Sequence, residues 1–74
     1  KAALGEKESR KALEMGAVDI LYLSSKLPKN KINELSKLAE NIGSSVKIIS
    51  IETPEGEQFF NMAGIGAVLR FKIG

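Results

Sequence analysis

The sequence contains no cysteine and no histidine. Without cysteine there is no disulfide staple, no thiolate nucleophile and no thiolate metal ligand. Without histidine the usual general base and the commonest zinc ligand are missing as well. Ser–His and Cys–His mechanisms are excluded together. No apolar run approaches the ~20 residues that a helix needs to span a bilayer, and no basic-then-apolar leader opens the chain. The first residue is Lys1 rather than methionine, so the sequence reads as a soluble piece of a longer polypeptide. Excess charge is lacking too: 11 basic against 9 acidic residues leave a net charge of +2, too little to imply nucleic-acid binding by itself.

What is present describes one small globular domain, residues 1–74. An apolar fraction of 43% and a charged fraction of 27% are ordinary for a folded protein and argue against disorder. At 74 residues the chain lies near the lower limit for folding without a staple, with a limited core and little room for a deep cleft. Reliance on packing alone suits a reducing compartment, and the expected location is the cytoplasm. Charge is unevenly spread. Lys26, Lys29, Lys31 and Lys37 stand near a single Glu34, and Glu52, Glu55 and Glu57 form an acidic group later. Solvated surface is the simplest reading of both.

Hydrophobic spacing and turn residues divide the chain. Glu6–Met15 is rich in helix formers and is followed by Gly16, suited to a left-handed C-terminal cap; Leu4, Ala12 and Leu13 supply its apolar contacts. Val18–Leu23 is a nearly continuous apolar run, predicting a strand buried on both faces. Ile32, Leu35, Leu38, Ala39 and Ile42 form one stripe of an amphipathic helix that ends at Gly43, with Asn30 as the expected cap. Val46, Ile48, Ile49 and Ile51 mark a second strand. Thr53-Pro54-Glu55 places a hydroxyl at an N-cap, proline at the first helical position and acid in the first turn, so a third helix runs through Phe59, Phe60 and Met62 to Gly64. Ile65–Ile73 reads as a third strand. Alternation of helix and strand predicts an α/β fold: a small three-layer sandwich with helices on both faces of a mixed sheet. The first two strands should be parallel, joined by a right-handed helical crossover.

Little in these residues carries chemistry. Ser24, Ser25, Ser44 and Ser45 are expected in loops, with no histidine to activate them, and nothing in the spacing points to a Ser–Lys arrangement. Glu55 and Glu57 fit an acidic helix start better than an acid–base pair. Gly64-Ile65-Gly66 follows a helix and opens a strand, the reverse of a dinucleotide loop, so Gly64 is expected to end the helix and Gly66 to let a neighbour approach the sheet closely. The chain is therefore read as having no enzymatic activity, no cofactor and no metal. Phe59 and Phe60 are adjacent, about 100° apart on a helix; one is expected in the core, the other at the surface as a binding anchor.

Two stretches carry a family resemblance. Gly5 to Leu21 (GEKESRKALEMGAVDIL) resembles the start of the C-terminal domain shared by archaeal and eukaryotic class I peptide chain release factors and by Pelota. Glu55-Gly56-Glu57-Gln58-Phe59 with Gly64–Phe71 resembles its closing pattern. The likeness covers almost the whole chain in order, and the run from Ala12 to Asp19 looks nearer to archaeal release factors. The short loop Ser24–Lys31 departs from release factors, which often carry a minidomain there, and the choice between release factor and Pelota stays open. The same fold family includes ribosomal proteins that bind kink-turn RNA through a Gly-x-Asn-Glu motif. Here the matching Gly5-Glu6-Lys7-Glu8 has lysine in place of the asparagine, with two acids beside it, which argues against that role because RNA affinity depends on neutralising phosphates; direct RNA contact is not settled by the sequence.

The resemblance implies a docking platform in translation termination. Its partners would be a translational GTPase of the elongation factor 1 alpha type, then the ribosome-recycling ATPase, with the ribosome met by the full-length factor. No membrane is involved. The Gly-Gly-Gln loop that releases the peptide would lie in another domain. Candidate partner-binding residues are Glu55, Glu57, Phe60, Arg70 and Lys72: one apolar anchor among charges. Ribosome rescue by Pelota and kink-turn RNA binding are the alternative functions.

Overall fold

A four-stranded mixed sheet in the order β1-β4-β2-β3 organises the molecule. The computed structural model describes residues 2–70. Along the chain the elements are β1 (Ala2–Leu4), α1 (Glu6–Glu14), β2 (Val18–Ser24), α2 (Lys29–Asn41), β3 (Ser45–Ile49), α3 (Pro54–Met62) and β4 (Ile65–Leu69). β2 and β3 are parallel, as the helical crossover requires, and β4 runs antiparallel to both β2 and β1. The closing strand, whose direction the pattern leaves open, thus lies in the middle of the sheet. Phe71, Lys72 and Ile73 of the expected third strand lie outside the described residues.

Side chains alternate across the sheet and so define two unlike faces. Leu21 and Leu23 of β2 pair with Ala67 and Ile65 of β4. All four join Ala12, Leu13, Leu35 and Ala39 in the buried core beneath α1 and α2. Val18 belongs to the same core, although three residues from Leu21 it would face the other way in a regular strand. A register shift between Val18 and Ile20 solves this: the extra residue turns Val18 inward and leaves Asp19 exposed. On the opposite face, Ile20 pairs with Val68 and Tyr22 with Gly66. Ile20 and Tyr22 are only half-buried, because α3 covers just part of this side. The expectation of a β2 buried equally on both faces is therefore met on one face only.

Two local expectations are corrected. Leu4 does not pack beneath α1; it sits in β1, opposite Gly66 on the α3 side of the sheet, and is 51% exposed. β1 has three residues, too few for a periodic signal. Nor is Asn30 the cap of α2. Pro28 occupies that position, and its carbonyl accepts from Lys31 and Ile32 at 3.0 Å each; the proline's missing N–H would have no partner there in any case. By contrast, Thr53 caps α3 as expected, its Oγ1 accepting from the Gly56 N–H at 3.0 Å. Gly16, Gly43 and Gly64 all take positive φ after their helices.

One buried hydroxyl lacks a partner. Ser9 of α1 is fully buried and its Oγ makes no hydrogen bond among the described residues. Ser9→Ala removes an unsatisfied group and adds helix propensity, so it is expected to stabilise the domain by about 1 kcal/mol. Thermal unfolding should show a higher midpoint; a drop would mean that Oγ has a partner, such as a buried water.

Candidate partner-docking surface

Glu55 and Glu57 are exposed in the first turn of α3, and Phe60 is half-buried one turn further on. Gly64 lies beneath the Phe60 ring, and a methyl there would meet Phe60 Cδ1 and Leu27 Cδ2 at 3.4 Å. Phe60 is therefore partly used in holding α3 down. Phe59 has turned to the sheet, and a methyl at Gly66 would touch its Cε1 at 3.4 Å. Both rings are thus half-buried, rather than one in the core and one free. Gly66 does admit a close neighbour, as expected, and the neighbour is Phe59.

Arg70 is not brought to these residues. It follows β4 at the end remote from Gly64, roughly 16 Å along a strand of this length. There its backbone N–H donates to the Ala17 carbonyl at 2.7 Å, and its guanidinium donates to the Ile42 carbonyl at 3.1 Å. Arg70 thus joins the C-terminal ends of α1 and α2 to the sheet. Lys72 lies outside the described residues. Of the four candidates among the described residues, three share α3 and Arg70 stands apart.

A different group gathers around Gly66. Leu4 Cδ1 and Phe59 Cε1 approach it from two sides, Tyr22 pairs with it, and Ile20 and Val68 form the next pair along the same face. Met62, one turn beyond Phe59, is 63% exposed. This is a partly open apolar sheet face with Glu55 and Glu57 on its covering helix. Half-exposed Leu, Tyr and Phe with polar residues at the margin have the composition of a protein-binding surface. Sequence pattern misses it because it places Leu4 against α1 and Tyr22 in a fully covered strand. Among the described residues no group of three acidic side chains is placed to hold a metal ion, and no helix is long and apolar enough to cross a membrane.

Between α1 and α2 the charges are paired. Lys31 Nζ lies 2.7 Å from Glu6, and the Arg10 guanidinium reaches Glu6 and Glu34 at 2.9 Å each. Hydrogen bonds from Lys31 and then Arg10 hold the Glu6 carboxyl below its ordinary value of 4.5, and Arg10 does the same for Glu34. Of the two acids that flank Lys7, the residue in place of the kink-turn asparagine, Glu6 is therefore paired by its neighbours. Glu8 is exposed without a salt bridge among the described residues, so the charge argument against RNA rests on Glu8 alone. Folded values below unfolded ones mean that this contribution is complete above pH 4.5. It is lost as pH falls through the depressed values. Arg10→Gln should accordingly lower the melting temperature at neutral pH and flatten its fall in acid. An unchanged acid limb would show that the network contributes nothing.

Comparison with known proteins adds the family. Residues 1–73 match the family model described as eRF1 domain 3. The chain is 33% identical over 119 residues to peptide chain release factor subunit 1 of Pyrococcus abyssi, covering 97% of this chain and 29% of that protein. It is 40% identical over 84 residues to the pelota homologue of Halobacterium salinarum, covering 99% and 24%. With the pelota homologue of Methanobrevibacter smithii it shares 38% over 74 residues, covering 99% and 21%. Among solved structures it superposes on Saccharomyces cerevisiae Dom34, a translation termination-like factor described as interacting with Hbs1, with a TM-score of 0.89, 29% identity and coverage of 99% and 22%. A model of ribosome-bound archaeal Pelota and ABCE1 gives 0.85, 31%, and 99% and 22%. The chain spans less than a third of the length of each of these relatives. A sheet in the order β1-β4-β2-β3, clothed by three helices and matched from end to end by one family model, leads to a single assignment: the chain belongs to the eRF1 domain 3 family.

Proposed function

We propose that this domain is the non-catalytic docking module of a peptide chain release factor acting on ribosomes in the cytoplasm. It binds a translational GTPase of the elongation factor 1 alpha type and, later, the recycling ATPase. The observation that supports docking is the likeness over 99% of the chain to Dom34, whose description names a protein partner, and to Pelota in a ribosome-bound assembly with ABCE1. The release-factor assignment rests on the 33% identity to the Pyrococcus protein. The half-open apolar face around Gly66, with acidic Glu55 and Glu57 on the adjoining helix, offers the chemistry such a partner needs. Release of the peptide is assigned to another domain, since no Gly-Gly-Gln occurs in this sequence.

One observation favours Pelota, and with it ribosome rescue, as a second reading. Matching 97% of this chain to the Pyrococcus release factor takes 119 aligned residues, whereas the Methanobrevibacter pelota homologue needs only 74. The release factor thus carries additional residues within the matched region. In this chain only Ser25–Pro28 connects β2 to α2. Stop-codon-dependent peptide release by the full-length factor separates the two: release supports the first reading, and its absence with activity on stalled ribosomes supports the second.

Docking itself is tested by calorimetry of this chain against the purified GTPase in its GTP state. Binding is expected, and Phe60→Ala should weaken it about tenfold, or ~1.4 kcal/mol. No binding by the wild-type chain would overturn the proposal; an unchanged affinity for Phe60→Ala would remove Phe60 from the surface.

A further inference from the structure

The outward face of α2 is rich in lysine and asparagine. Lys29, Asn30, Asn33 and Lys37 are all exposed on it, with Lys26 in the turn just before. On the helix itself no apolar residue is exposed among them; exposed Pro28 stands between Lys26 and Lys29. None of Lys26, Lys29 and Lys37 takes part in a salt bridge among the described residues, while Lys31 and Arg10 alongside are paired with Glu6 and Glu34. Glu34, at the margin of this face, is therefore engaged by Arg10. One exposed acid shares the face: Glu40, three residues beyond Lys37 and so on the same side of α2, sets one negative charge against the three lysines at the C-terminal end.

We infer that this face, Lys26-Lys29-Asn33-Lys37, is a contact for the phosphate backbone of RNA, separate from the protein-docking surface on the other side of the sheet. Three unpaired ammonium groups attract phosphates. Asn30 and Asn33 between them add amide donors without adding negative charge. Lys29 and Lys37 are eight residues apart, about 12 Å along the helix axis. That exceeds the ~3.4 Å of axis per phosphate on one strand of a duplex, so both can be engaged at once. A protein partner is the poorer fit, because interface cores are depleted in lysine and built around aromatic or aliphatic anchors, and this face has none. The contact reads charge and backbone spacing, not base sequence. It would let a factor that docks its protein partner through one face of the sheet rest on ribosomal RNA through the other.

The probe is a mixed-sequence RNA duplex titrated into the isotopically labelled 74-residue chain, followed by amide chemical shifts at low salt. Shifts are expected from Lys26 to Lys37. Affinity should fall with salt on a log–log slope of about −3 for three neutralised phosphates, reduced to about −1 in the double variant K29Q/K37Q. K7Q/K11Q removes the same charge from exposed positions of α1 and is expected to leave the slope nearly intact. Absent shifts, or an equal loss in both double variants, would overturn the inference. GTPase calorimetry on K29Q/K37Q keeps the two proposals apart: retained protein binding with lost RNA binding supports a separate RNA face. Lost GTPase binding with RNA binding intact would assign the face to the protein partner and overturn the RNA contact.

Discussion

Gly56→Ala is expected to destabilise the domain by about 3 kcal/mol or more, at or beyond the upper end of what overpacking usually costs, lowering its melting point by ~12–24 °C for a chain of this size. Gly56 is buried at the start of α3, and a methyl group there would stand 1.7 Å from the Ser50 carbonyl oxygen and 2.8 Å from its carbon. No side-chain rotation relieves such a contact, because the obstacle is backbone. The helix start must lift away from the loop after β3. Lifting also strains the cap, since the Gly56 N–H is the group that donates to Thr53 Oγ1. Glu55, Glu57 and Phe60 move with the helix, so partner binding should fall together with stability. Gly66→Ala is the informative contrast. Its methyl would meet Phe59 at 3.4 Å and Ala3 O at 3.7 Å, contacts that small adjustments absorb, and a change within about 1 kcal/mol is expected. Should Gly56→Ala melt like the wild type, α3 is not seated against Ser50 as described.

These two glycines also mark how far the sequence can be read. Periodicity locates α2 because its apolar stripe has thirteen residues in which to repeat, and the Thr53-Pro54-Glu55 signal locates α3 because each residue satisfies a separate need of a helix N-terminus. Gly64 and Gly66 are legible because a glycine after a helix commonly takes the left-handed cap, and one inside a strand commonly admits a close neighbour. Gly56 gives no such signal. Its requirement comes from the approach of a carbonyl six residues earlier, a contact that forms only when the loop is folded. The same limit applies to the candidate site. Local chemistry singles out α3, but the β1-β4-β2-β3 order decides what lies beside it. That order brings Leu4, 55 residues before Phe59 in sequence, to the same glycine. It also sends Arg70 to the far end of β4. Lys31 illustrates the point for charge: in sequence it is one of four clustered lysines, yet its partner is Glu6 on another helix.

Leu4→Asp should therefore be the most damaging single change to partner binding that leaves the fold intact, weakening the GTPase complex about a hundredfold, or ~2.7 kcal/mol. Leu4 is 51% exposed at the end of β1 and forms one wall of the patch around Gly66. A carboxylate at this position keeps its own hydration in the free domain, so the fold loses little. In a complex it would have to be desolvated among Tyr22, Phe59 and the partner's apolar atoms, which is costly for an unpaired charge. Phe60→Ala, by comparison, removes a ring already half spent on Gly64 and Leu27, and its smaller expected effect follows from that. Met62→Asp provides the check against a local folding defect, since Met62 is 63% exposed and belongs to a helix rather than to β1. Thermal unfolding of both variants should stay close to the wild type while calorimetry shows the loss. If Leu4→Asp and Met62→Asp both bind as tightly as the unmodified chain, the open sheet face is not the docking surface. The partner must then meet the outer side of α3, where Glu55 and Glu57 would be the residues to change next.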